Sequence, residues 1–290
     1  MKSALNEYHD FLRDVRHLSE NTVLSYERDI KQFQRFFGGN LKKAISRDFE
    51  NYMSEMKRHG LASSTLSRNM VSLRSLYSFM KSNGHIKRDP TRNVKLPKVE
   101  KSLPQILTSA EITKLLDEPS CEDAKSCRDK AMLELLYASG IKVSELIMLN
   151  VSNVNLRRGM LNCSISSKTR IIPLGKIAVK AISFYLKNAR PQMVASTDET
   201  ALFVNCNGTR MTRQGFWKIL KYYKDAAGID KEITPHTLRH SFAAHLLENG
   251  ADIDLIGEMM GLTDSASTAV YRKIIENRIF DVYKKAHPRA

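Results

Sequence analysis

The residue pattern predicts a mainly α-helical chain with a small antiparallel β-sheet, split into a helical N-terminal domain and an α+β C-terminal domain. Three observations carry this. Apolar residues recur at spacings of three and four through the first hundred positions, the mark of amphipathic helices. Residues 87–107, KRDPTRNVKLPKVEKSLPQIL, hold three prolines and no helical period, as an interdomain linker would. Residues 159–174, GMLNCSISSKTRIIPL, read as a hairpin with Ser166-Ser167-Lys168 near its turn.

In chain order, Ser19 is a suitable N-cap for a helix carrying Val23, Tyr26, Ile30, Phe33, Phe36 and Phe37. A second helix runs from about Ser63 to Ser82, with Leu66, Met70, Leu73, Leu76, Tyr77 and Met80 on one stripe, and Asn83-Gly84 stops it. Such stripes are core material. Arg68 and Arg74 lie off the stripe and are candidates to face phosphates. The N-terminal domain is set at 1–86, the basic linker at 87–107, and the second domain at 108–290. Thr108-Ser109-Ala110-Glu111 is a capping box opening that domain. There Ala131–Ser139 is an apolar helix closed by Gly140, and another helix begins around Lys142–Ser144. Ala201–Asn205 reads as a third strand. Helices are expected at 175–189 and 212–227, and one more opens after Thr234-Pro235.

Composition limits the function. The 290 residues suggest about two domains, and 42% hydrophobic content is ordinary for a globular protein. No run of ~18 apolar residues or secretory leader pattern occurs, so a cytoplasmic, nucleoid-associated protein with no membrane partner is expected. Lysine and arginine total 46 against 31 acidic residues, a formal charge of +15. A polyanion is the natural partner; a solvated basic surface is the plainer reading. The cationic residues are spread along the chain, which argues against a disordered basic arm. Cys121, Cys127, Cys163 and Cys206 form no C-x-x-C pair and read as plain thiols.

One cluster points to chemistry. His236 and Arg239 are three residues apart and share a helical face, a cradle for a phosphate. Tyr271 follows 32 residues after Arg239 and supplies a phenol that can act as nucleophile at such a cradle.

Around these residues the chain resembles the tyrosine recombinases, also called lambda-integrase-like recombinases, and most the compact Xer branch. The resemblance spans nearly the whole chain. It rests on LLYASGIKVSELIMLNVSNV, the hairpin end TRIIPLG, the run TPHTLRHSFAAHLLENGADIDLIGEMMG, and STAVYRKI. It implies a core-binding (SAM-like) helical domain followed by a catalytic domain of the DNA breaking-rejoining type. It also implies cleavage of double-stranded DNA at a specific site through a 3'-phosphotyrosyl link, with no ATP, metal or other cofactor. Tyr271 takes the nucleophile position. Arg239 would fork onto the non-bridging oxygens, and His236 would donate to the phosphate or shuttle the tyrosine proton. His240 and Glu145 take structural roles.

Three positions depart from the family pattern. Lys142 stands where the first arginine is usual, in Gly140-Ile141-Lys142-Val143-Ser144-Glu145; it keeps charge but lacks a planar fork. Leu262, nine residues before the tyrosine, offers no donor where histidine or tryptophan is usual. The hairpin lysine that protonates the leaving 5'-oxygen is displaced. Ungapped counting places Ile165 there, and Lys168 is either the catalytic lysine of a shortened hairpin or merely a turn residue. The resemblance further implies a homo- or hetero-tetramer on two duplexes, with a possible partner recombinase. The tail from Arg272 to Ala290, with Ile274, Ile275, Ile279, Phe280, Val282 and Tyr283, either docks on a neighbouring protomer or packs on its own domain. The alternative is a catalytically weakened, recombinase-like accessory factor; a type IB topoisomerase is a third reading.

Overall fold

A computed structural model describes residues 4–97, 104–164, 169–262, 270–273 and 283–284. The chain forms two compact units, Met1–Ser102 and Leu103–Ala290, each with its own core.

The first unit holds α1 (Ala4–Asp10), α2 (Glu20–Phe37), α3 (Ser46–Arg58) and α4 (Ser63–Ser82). Ser19 caps α2 by accepting from the Thr22 amide at 3.3 Å. The α4 stripe is buried along its length. Phe33 stacks on Phe49 at a 4.6 Å centroid distance, and the Tyr77 hydroxyl donates to the Leu41 carbonyl at 2.8 Å. Such aromatic burial dominates the energetics of a small helical core. Residues 87–97, expected as linker, pack onto this unit instead. Val94 and Thr91 are buried, Ser46 donates to the Pro90 carbonyl, and Arg74 donates to the Val94 carbonyl.

The second unit opens with α5 (Ser109–Asp117), where Thr108 and Glu111 form the expected capping box. α6 (Ala124–Ser139) is longer than its apolar run suggested. Its first half buries the Arg128–Asp129 pair, joined at 2.7 Å, so hydropathy marked only the second half. α7 (Val143–Met148) follows Gly140 and Lys142. The sheet is β1 (Val154–Asn155), β2 (Met160–Cys163) and β3 (Arg170–Pro173), antiparallel in the order β1-β2-β3. Ala201–Asn205 is not the third strand. It makes isolated bridges, Asn150 to Ala201 and Val204 to Arg210, while β1 takes the edge position. α8 (Lys176–Phe184) runs through a π-turn into α9 (Arg190–Met193). The remaining helices are α10 (Arg213–Ala226), α11 (Pro235–Glu248) and α12 (Ile253–Met260). α6 and α11 pack against one another inside the core.

Gly140 makes that packing possible. It ends α6 in the left-handed region, φ 58°, and an added Cβ would lie 2.2 Å from the Phe242 ring on α11. Gly140→Ala is therefore expected to destabilise the chain by about 2–4 kcal/mol, from left-handed strain plus overpacking. A thermal melt checks this; an unchanged midpoint would mean that Phe242 simply moves aside.

Candidate active site

The site is built on α11. Thr234 caps this helix by accepting from the Thr237 amide at 3.1 Å, and Pro235 occupies its first position, where its missing N–H costs nothing. His236, Arg239 and His240 therefore share the first two turns of one face.

Arg239 is buried. It donates to the carbonyls of Gly140 and Met260, the latter at 2.7 Å. One guanidinium thus ties together the C-terminal ends of α6 and α12. Burial holds its pKa below the usual range, opposed by the Tyr271 phenol and the Glu145 carboxylate.

Tyr271 is 3% exposed and packs among Phe242, Ala243, Ile256 and Met260. Its hydroxyl pairs with His240 Nδ1 at 2.9 Å. Burial raises the phenol above its ordinary value, and Arg239 opposes that rise. The histidine assigned a structural role in the sequence is thus the tyrosine's hydrogen-bond partner. His240 is pushed down to about 4, by burial first and then by His236 and Arg239, so near neutral pH its ring carries no charge.

His236 is exposed. Desolvation is the largest cause of its lowered pKa, followed by the charges of Arg239, Arg213 and Lys142. Those cations therefore gather around one imidazole. Lys142 itself is exposed at the start of α7, with its side chain available to an anion. Arg213, at the start of α10, was missed by the sequence reading.

Arg170 was missed as well. On β3 it is 8% exposed, and its guanidinium donates to Glu145 Oε2 at 2.7 Å and to the Met259 carbonyl at 2.8 Å. Glu145 also accepts from the Lys142 amide at 2.8 Å. Burial tends to raise the Glu145 carboxyl, yet Arg170 and the Lys142 amide outweigh it and hold the group below its usual range. The fit around Arg170 is close, since a Cβ at Gly261 would meet its Nη1 at 2.8 Å. Two arginines thus grip the end of α12.

Other sequence-predicted residues fall elsewhere. Leu262 lies against the Tyr271 cluster as an apolar contact; its amide closes the end of α12 on the Gly257 carbonyl at 2.9 Å. Arg68 and Arg74 both have partners within the protein. Arg68 donates to the buried Asp29 at 3.0 Å, and Arg74 is half-buried on the Val94 carbonyl. Lys168, its alternative Ile165 and the tail positions Ile274 to Val282 lie outside the described residues. Among the described residues the four cysteines form no disulfide, and no cluster of three or more His, Cys, Asp or Glu is placed to hold a metal ion. No described helix is long and apolar enough to cross a membrane.

A helical SAM-type domain followed by a catalytic domain with an arginine–histidine helix and a nearby tyrosine defines a class, the DNA breaking-rejoining recombinases. Comparison with known proteins agrees. Residues 105–278 match the phage integrase family, and residues 5–84 match the phage integrase N-terminal SAM-like domain. The chain is 44% identical to the tyrosine recombinase XerD of Oceanobacillus iheyensis, covering 100% of both proteins. It is 41% identical to the XerD of Halalkalibacterium halodurans, covering 100% of this chain and 99% of that one. Among solved structures it is similar in fold to the XerH site-specific recombinase bound to a palindromic difH substrate. That match has a TM-score of 0.76 at 18% identity and covers 96% of this chain and 83% of that chain. The chain belongs to the phage integrase family, as a tyrosine site-specific recombinase of the Xer branch.

Burial of His240 beside His236 and Arg239 gives the fold a pH dependence. Below the unfolded value of 6.5 the unfolded imidazole binds a proton that the folded ring, at about 4, refuses. The unfolded state then holds more protons, so stability is complete above 6.5 and falls as pH drops toward 4. Urea melts at about pH 7 and pH 5 should show a loss on acidification that His240→Gln reduces. An equal loss in both proteins would remove His240 from the account.

Proposed function

We propose that Tyr271 attacks the scissile phosphodiester, forming a 3'-phosphotyrosyl bond and releasing a 5'-hydroxyl, which a second strand's 5'-hydroxyl later reverses. The balance closes without an external reactant. The phosphodiester exchanges one ester oxygen for the phenolic oxygen, and the proton lost by tyrosine is matched by one delivered to the leaving oxygen. Arg239 and His236 bind the non-bridging oxygens, with Lys142 as the first-position cation. Lys168 is the candidate donor to the leaving 5'-oxygen.

The observation that supports this reading best is the proximity of the Tyr271 phenol to buried Arg239, one turn from an imidazole surrounded by Lys142 and Arg213. A positive field at that point stabilises a phenolate and a phosphorane-like charge together. In the free chain the phenol is held on His240 and buried. Attack therefore requires it to leave that partner once duplex is engaged. In the tautomer that carries its proton on Nε2, neutral His240 accepts the phenolic proton at Nδ1, which would give it a proton-handling role beside His236.

The relatives' names and the XerH complex with its DNA substrate support a specific duplex site as partner. An assembly of four protomers on two duplexes, with or without a second recombinase, acting on DNA of the nucleoid, belongs to the same proposal.

A duplex nicked beside the scissile phosphate traps the covalent step. The unsubstituted chain is expected to form an adduct that Tyr271→Phe abolishes completely. Tight site binding with no adduct from the unsubstituted chain would instead fit a non-cleaving accessory factor.

A further inference from the structure

A second cationic feature lies at the opposite end of the sheet from the catalytic cluster. The β1–β2 turn and the outer face of α8 enclose an open groove of about 670 Å³. Arg157 and Arg158 line it from the β1–β2 turn, and Lys176, Lys180 and Lys187 from α8 and the π-turn that follows it. Leu156, Val179 and the half-exposed Phe184 line its floor. The lining includes no Asp or Glu. Among the described residues no carboxylate is paired with any of these five cations, unlike the catalytic unit's Lys130, Arg170 and Lys231.

The register fixes where this groove sits. Cys163 pairs with Arg170 at the end of the hairpin that reaches Glu145 and α12, while Met160 pairs with Pro173 at the end that borders Gly159 and Leu174 of the groove. Three residue steps of strand separate the ends, about 10 Å, and the groove extends beyond that. In duplex terms this is about three to five base-pair steps. On α8, Lys176 and Lys180 are four residues apart, about 6 Å along the axis. Repulsion among five unpaired like charges disfavours the groove while it is empty. A polyanion relieves it, and a duplex offers one charge per about 1.7 Å.

We propose that this groove is a backbone-binding site for duplex DNA flanking the cleavage point. Arg157, Arg158, Lys176, Lys180 and Lys187 contact phosphates there and take no part in the chemical step. This rests on the reading of the chain as a DNA-binding recombinase. The site serves affinity and register and is blind to sequence, because phosphate contacts carry no base information.

The test is the triple variant Arg158→Ala, Lys180→Ala, Lys187→Ala, with the single charge reversal Lys180→Glu as a second probe. All three positions are exposed, so the melting temperature is expected to stay unchanged, and the single variant serves if the triple does not fold. Affinity for a long duplex is measured across a salt series. The triple variant is expected to bind at least about tenfold more weakly near physiological salt. Its log–log salt slope should be flatter by roughly 2–3, from ~0.9 per lost contact. The loss should be the same on a scrambled duplex, and adduct formation on the nicked substrate at saturating protein should be unchanged. An unaltered slope and affinity would overturn the groove as a DNA site. Lost adduct formation at saturation would overturn its separation from the chemistry. Salt-independent binding by the unsubstituted chain would defeat the underlying DNA-binding reading itself.

Discussion

Arg239→Lys is expected to lower single-turnover adduct formation on a nicked duplex by at least about 10²–10³-fold, the usual effect of removing one preorganised donor. The two contacts of Arg239 explain why conserved charge does not rescue it. Its guanidinium spans the Gly140 and Met260 carbonyls from a buried position. An ammonium is a point donor and cannot hold both while also facing a phosphate. A lysine buried there also gives up its proton more readily, since its ordinary pKa of ~10.4 lies well below that of arginine. One carbonyl is left without its donor, which costs roughly 1–3 kcal/mol. The melting temperature should therefore fall together with the rate. Single-turnover kinetics at saturating protein, set beside a thermal melt, separate the two effects. Cleavage within threefold of the unsubstituted chain would show that Arg239 is a purely structural strut.

That double duty explains what the sequence could and could not reveal. Local signals were reliable wherever a few neighbouring residues decide the outcome. The Thr108–Glu111 capping box, the bounds of α4 and the αL stop at Gly140 are of this kind. Pairings across long sequence separations were hidden. Arg68 and Arg74 looked free because they stand off the apolar stripe. Asp29, on the buried face of the amphipathic α2, and the chain after Pro90 bond to them. Arg170 is the sharpest case. Hydropathy would turn Ile171 inward and Arg170 outward, yet Arg170 is buried and Ile171 is 67% exposed. A one-residue register choice moves a whole strand face, and Leu161, Cys163 and Ile172 on the same face settle it. Arginine is then tolerated inside because Glu145 neutralises it. A clue was present, since Glu145 is an acid beside an apolar helix that needs a buried cation. Ala201–Asn205 failed for the complementary reason. A short apolar run states that it is buried, not that it pairs as a strand.

The candidate residues stood out in the sequence as types at a spacing, but the environment of the Tyr271 phenol did not. Nothing in His240-Ser241-Phe242 signals that the imaginary line from α11 to Tyr271 ends on His240 rather than His236. That is fixed by the packing of the aromatic and methionine side chains around the phenol. The arrangement holds the tyrosine as a neutral, buried hydrogen-bonding group, which under the proposed mechanism keeps the free protein from attacking phosphodiesters indiscriminately. Engagement of DNA must supply the free energy that moves it. Population arithmetic then requires the duplex to favour the released state over the stored one by a matching factor.

Lys142→Arg is expected to raise the rate of adduct formation by about 10–10²-fold while leaving DNA affinity within about twofold. The charge is conserved, so the counterion-release part of binding is unchanged. What changes is geometry, because a planar fork contacts two phosphate oxygens where an ammonium offers a single point. The setting favours the gain. The Lys142 side chain is exposed and its charge is felt at His236, while its backbone is fixed by a hydrogen bond of 2.8 Å from its amide to Glu145. Glu145 is in turn held by Arg170, so the new guanidinium would sit on a rigid base that is already neutralised and would not be drawn away from the phosphate. Under the proposed mechanism Leu262 adds no donor to the phosphate, so each remaining donor weighs more. The measurement is the single-turnover rate at saturating protein beside a binding isotherm at fixed salt. An unchanged or slower rate would mean that the pocket formed by His236, Arg213 and Arg239 has adapted to an ammonium, with the scissile phosphate seated closer to α7 than an arginine permits.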